Sequence, residues 1–62
     1  MTVREVIRLL TVDGWVQVAK KGSHRQFRHP AKFGRVTVPG KMSDDLKIGT
    51  YRSILRQAGL ED

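Results

Sequence analysis

The 62-residue chain has no cysteine and only two histidines, His24 and His29. A disulfide scaffold and a thiolate zinc site are thereby excluded, although chains this short often depend on one or the other. Nowhere do more than two apolar residues stand in succession, and Arg4, Glu5 and Arg8 interrupt the N-terminal stretch. That pattern leaves no membrane-spanning run and no signal-peptide core, so a cytoplasmic protein without a membrane partner is expected. Aromatic residues are scarce as well: Trp15, Phe27, Phe33 and Tyr51 are all there are. A chain of about 60 residues buries only about 60% of the surface its unfolded form exposes, so the core must be thin. The 39% hydrophobic content still suffices for a globular fold, and residues 1–62 are expected to form a single domain.

Acidic residues are missing from one long stretch, and this absence is the most informative. Between Gly14 and Ser43 lie seven basic residues, Lys20, Lys21, Arg25, Arg28, Lys32, Arg35 and Lys41, and no acidic one. The flanks carry five basic and six acidic residues, so the net charge of +6 resides in the middle of the chain. A polyanionic partner is implied.

Thr2 followed three residues later by Glu5 has the spacing of a capping box, and Val3, Val6, Ile7 and Leu10 recur at helical intervals. A helix is predicted from Val3 to about Val12, stopped by Asp13-Gly14. Trp15 to Lys20 has strand character, Gly22-Ser23 reads as a two-residue hairpin turn, and a return strand is predicted over His24 to His29. Arg35 to Val38 alternates polar and apolar residues as a half-buried strand does, and Pro39-Gly40 ends it. Lys41 to Lys47 is read as a connection in which Ser43, Asp44 and Asp45 cap a short helical turn. A second helix begins near Ile48, with Ile48, Tyr51, Ile54, Leu55 and Ala58 on one stripe and Gly59 closing it. The result is an α+β fold of order α-β-β-β-α, a three-stranded antiparallel sheet with both helices on one face.

Strand alternation then assigns faces. With Phe27 inward beside Val16, Val18, Val36 and Val38, the residues His24, Gln26 and Arg28 point outward, joined by Gln17, Arg35 and Thr37. An open, cationic sheet face suits a phosphodiester backbone.

The sharpest local feature is Lys20-Lys21-Gly22-Ser23-His24-Arg25. One reading makes His24 a catalytic imidazole, with Gly22 and Ser23 shaping its turn and Lys20, Lys21, Arg25 and Arg28 binding phosphate. The other makes His24 an ordinary solvated strand residue, and the residues by themselves leave both open. RNA carries its own nucleophile in the 2′-hydroxyl, so its cleavage needs only proton transfer and charge stabilisation. DNA hydrolysis calls for an activated water or a protein nucleophile, for which little is present. His24 and His29 fall on opposite faces of one strand and cannot readily share a metal ion, and Asp44-Asp45 fits a helix start better than a metal pair. No cofactor is expected. Among the aromatics, Phe33 is the least committed to the core.

Taken in order, the N-terminal amphipathic helix, the lysine-rich hairpin with Gly22-Ser23-His24, then Phe27, His29-Pro30 and Val36-Thr37-Val38-Pro39, and finally the stretch from Gly49 to Leu60, together resemble the HicA toxin family. Gly-Ser-His alone is a weak signal, but its combination with the Val-Pro strand end and the Gly-Thr-x-Arg-Ser-Ile-Leu-x-Gln-Ala-Gly helix is specific. The resemblance implies a fold like the double-stranded RNA-binding domain and an endoribonuclease acting on messenger RNA, with His24 as its general acid or base. It also implies a HicB-like antitoxin as partner, through which alone DNA would be bound. Many relatives carry a histidine shortly after the Val-Pro step; this chain has Gly40, Lys41 and Met42 there. A non-catalytic RNA-binding module using the same basic face is the rival reading.

Overall fold

The computed structural model describes residues 1–61. Its elements run α1 (Val3–Asp13), β1 (Val16–Lys21), β2 (His24–Arg28), β3 (Val36–Val38) and α2 (Ile48–Gln57), the predicted order with ends shifted by a residue or so. The sheet is antiparallel in the order β1-β2-β3.

Both ends of α1 are written into the local sequence. The Thr2 hydroxyl accepts the Glu5 N–H at 3.2 Å, and the Glu5 carboxylate accepts the Thr2 N–H at 3.2 Å, completing the capping box. That backbone bond, together with the Thr2 hydroxyl, holds the Glu5 carboxyl below its ordinary value. At the other end Gly14 adopts φ 104°; the Trp15 N–H reaches the Leu10 carbonyl at 2.9 Å and the Gly14 N–H reaches that of Thr11 at 3.0 Å. This is the paired bonding of a Schellman motif. α2 closes in the same way, the Leu60 N–H bonding to Leu55 at 2.8 Å and the Gly59 N–H to Arg56 at 3.1 Å.

The core is one cluster: Val3, Val6 and Leu10 from α1, Trp15 from the α1–β1 junction, Phe27, Val36 and Val38 from the sheet, and Ile54 and Ala58 from α2. The helices therefore share one face of the sheet. Two valines expected in this core are not there. Val16 is 60% and Val18 51% exposed. Pairing runs Lys21↔His24, Lys20↔Arg25 and Ala19↔Gln26, then steps over Val18 to Gln17↔Phe27 and Val16↔Arg28. The bulge adds one residue to β1, and since side chains alternate with period two, that residue reverses the facing of everything before it. Val16 turns outward, and Gln17, expected on the open face, takes the side that Phe27 occupies. Trp15, 1% exposed and next to Val16 in the chain, is the buried residue at this end of β1.

Two further expectations are corrected. Ile48 is 67% exposed, because it is the first residue of α2 and stands before the turn that meets the core at Ile54. The Ser43-Asp44-Asp45 stretch forms no helical turn. Instead the Asp44 carboxylate accepts the Lys41 N–H at 3.0 Å, and Asp45 makes a backbone bridge with Thr2, tying the connection to the start of α1.

Candidate nucleic-acid interface and catalytic histidine

Gly22, with φ 60°, takes the first central position of the β1–β2 turn, and among the described residues no non-glycine residue has positive φ. Gly at that position followed by a residue of negative φ is the type II′ pattern, whose twist matches the flanking strands. The turn fixes Lys21 directly across from His24. Paired residues project to the same face with Cβ atoms about 5 Å apart, so the Lys21 ammonium and the His24 imidazole share one local environment.

Alternation along β2 carries Gln26 and Arg28 to the same open face, opposite Ala19 and Val16 of β1, while Thr37 of β3 stands across from Gln26. Arg35, just ahead of β3, joins them by donating a hydrogen bond to the Gln26 side-chain oxygen. No residue of the three strands is acidic, and His24, Lys21 and Arg28 are exposed. The open face thus offers an imidazole, several cationic donors and two neutral polar groups, with no carboxylate to oppose a phosphate.

Of the residues singled out from sequence, the structure assembles some and separates others. His24, Lys21 and Arg28 lie on one face, and Gly22 and Ser23 form the turn at its end. Lys20 and Arg25 pair with each other on the opposite, helix-bearing side. Arg25 is half-buried there, and its guanidinium donates to the Gly40 carbonyl at 2.9 Å, bracing the chain beyond β3. Gln26 and Arg35 take up the space on the open face instead. Alternation had already aimed them outward; what it could not show was their mutual bond, which orients the Gln26 amide.

The two histidines have different surroundings. The His29 Nε2 donates to the Asp13 carbonyl at 2.7 Å and its Nδ1 accepts the Ala31 N–H at 2.9 Å, which defines the neutral Nε2–H tautomer. Its ring packs edge-on against Trp15, centroids 5.3 Å apart. Both of its nitrogens are engaged in holding the β2–β3 loop to the end of α1. His24, by contrast, stands exposed to solvent.

A concavity lies on the helix side, a mostly apolar cleft between α1 and α2 lined by Leu9, Val12, Asp13, Tyr51, Leu55 and Leu60. It includes no residue of the open face. Among the described residues no helix is long and apolar enough to cross a membrane.

A small α-β-β-β-α domain with a cationic open sheet face and a solvent-facing histidine beside a hairpin is the class that the geometry defines. Residues 3–60 match the HicA toxin of bacterial toxin–antitoxin systems, and the chain belongs to this family. A toxin's role within such a system, with a cognate antitoxin as counterpart, follows from that membership. Among curated proteins none matches the chain.

Proposed function

We propose that this toxin is a metal-independent endoribonuclease acting on messenger RNA, with His24 as its acid-base group. The observation that carries the proposal is the Lys21–His24 pair at the head of an open cationic face without carboxylates. His24 takes the proton of a 2′-hydroxyl, the 2′-oxygen bonds to the adjacent phosphorus, and the bond from phosphorus to the 5′-oxygen breaks. The leaving oxygen takes a proton back from the imidazolium. Lys21 stabilises the charge gathering on the phosphoryl oxygens, and Arg28 and Arg35 hold the neighbouring phosphates. Lys20 and Arg25, on the reverse side of the hairpin, contribute to the field around it rather than to the same contact surface. The donor set suits this chemistry: a strand face without carboxylates offers no anionic ligand to a divalent ion, whereas RNA supplies its own nucleophile.

A HicB-like antitoxin would neutralise the toxin by laying an acidic surface over this face, which both covers His24 and compensates the charge. DNA contact, in this scheme, belongs to the antitoxin. The decisive experiment compares RNA cleavage and growth arrest by the wild type and His24→Ala with a chelator present. Cleavage by the wild type alone is expected. Undiminished cleavage by the variant would remove His24 from the mechanism, and loss of wild-type cleavage on chelation would remove metal independence.

A further inference from the structure

Phe33 is the one aromatic residue of the chain that the fold does not use. Trp15 and Phe27 are buried and Tyr51 is half-buried against the core, while the Phe33 ring is exposed over its whole surface. A full-sized aromatic ring left in water gives up the burial energy that a thin core most needs.

The loop that carries it is fastened on every side. Ahead of Phe33, the His29 ring bonds to the Asp13 carbonyl and to the Ala31 N–H. Immediately before it, the Lys32 ammonium is bound 2.6 Å from the Asp13 carboxylate and 3.0 Å from the Ala58 carbonyl. Just after it come Gly34 at φ 81° and Arg35, whose guanidinium is bound to Gln26 on the open face. Phe33 is therefore presented from an anchored loop, so little ordering entropy remains to be lost when a flat partner meets it.

From this geometry we infer that Phe33 is a base-stacking platform for single-stranded RNA, a second contact point remote from the scissile phosphate. The inference deepens the RNA-cleavage reading and rests on it. Arg28 ends β2 and Arg35 precedes β3, so both stand at the end of the sheet from which the Phe33 loop leaves, with His24 at the opposite end of β2. A strand laid along β2 from His24 runs toward these cationic donors and the loop that carries the aromatic ring. The span of β2 from His24 to Arg28 is about 13 Å at the usual strand rise. The stacked base is thus not one flanking the cleaved bond but one farther along the strand. Stacking is tolerant of base identity, so Phe33 holds the strand in register and does not choose the sequence.

The test measures binding of a short mixed-sequence single-stranded RNA to the cleavage-inert His24→Ala protein, with Phe33 kept or replaced by Ala, Leu or Trp. Phe33→Ala and Phe33→Leu are expected to bind about tenfold or more weakly, and Phe33→Trp to retain affinity, because a flat ring and not apolar bulk is required. Bound RNA should quench the fluorescence of the Phe33→Trp side chain, while the buried Trp15 provides an unresponsive background. In the His24-competent protein, Phe33→Ala should raise KM and leave kcat nearly unchanged. Thermal unfolding should be unaltered in all, since the ring touches no other part of the chain. Equal RNA binding by Phe33→Ala, or full retention by Phe33→Leu, overturns the inference. So does a variant that binds RNA normally and loses association with its antitoxin, which would make Phe33 a protein contact. If Phe33-dependent binding holds and the wild type does not cleave, the stacking site stands and the catalytic reading fails. If cleavage holds without Phe33 dependence, the reverse is true.

Discussion

The Lys32 ammonium lies 2.6 Å from the Asp13 carboxylate and 3.0 Å from the Ala58 carbonyl, joining the β2–β3 loop to the C-terminal ends of both helices. The same carboxylate oxygen accepts the Trp15 indole N–H at 3.1 Å. One short contact therefore fixes the loop, the largest core residue and the closing turns of α1 and α2.

The contact has a pH dependence of known sign. The Lys32 hydrogen bond, against some loss of solvation and aided by the Lys32 charge and the Trp15 indole, holds the Asp13 carboxyl below its ordinary value. A carboxyl whose folded pKa is depressed contributes stability above its unfolded pKa, and that contribution is lost as pH falls through the folded value. Urea unfolding followed from pH 7 down to pH 3 should show a decline in acid that is shallower in Asp13→Asn. An identical slope in the variant would assign the decline to Glu5, the other carboxyl held low.

Gly14 cannot be replaced without displacing His29. A Cβ at Gly14 would stand 2.8 Å from the His29 Nε2, in a residue already at φ 104°. Gly14→Ala should therefore cost more than a left-handed residue alone, about 2 to 4 kcal/mol by combining backbone strain with a lost hydrogen bond. A domain of this size has roughly 3 to 9 kcal/mol in total. Chemical denaturation should show a large drop in midpoint at unchanged slope.

Arg25 and Lys21 separate fold from function. Arg25→Ala removes the bond to Gly40 and is expected to lower stability by about 1 kcal/mol, read by chemical denaturation. Lys21→Ala should leave the unfolding midpoint in place, weaken RNA binding, and reduce the slope of log affinity against log salt by about one unit. Exchanged outcomes for the two variants would contradict the register.

His24 is exposed, and His24→Ala should unfold at the wild-type temperature while growth arrest disappears. The corresponding change at His29 removes two hydrogen bonds and a ring contact to Trp15. It should lower stability by about 1 to 3 kcal/mol, with loss of toxicity only in proportion to the unfolded fraction. Thermal melts paired with growth curves distinguish the two histidines.

The sequence by itself determined whatever depends on neighbours within a few residues. The Thr2–Glu5 box, the glycines that close both helices, the Gly22-Ser23 turn, the order of elements and the concentration of cationic residues in the middle of the chain are all local and legible. The placement of His24, Gln26 and Arg28 on one face followed too, because alternation in β2 is unbroken. Tertiary structure decided the rest. Val-Gln-Val-Ala reads as regular alternation, and only pairing with β2 makes Val18 an extra residue that turns Val16 to solvent and leaves the core to Trp15. Arg25 is drawn to the Gly40 carbonyl and His29 to that of Asp13, partners 15 and 16 residues away in the chain. A long polar side chain goes to whichever acceptor the fold brings within reach, and that acceptor is set by packing, which no local pattern encodes.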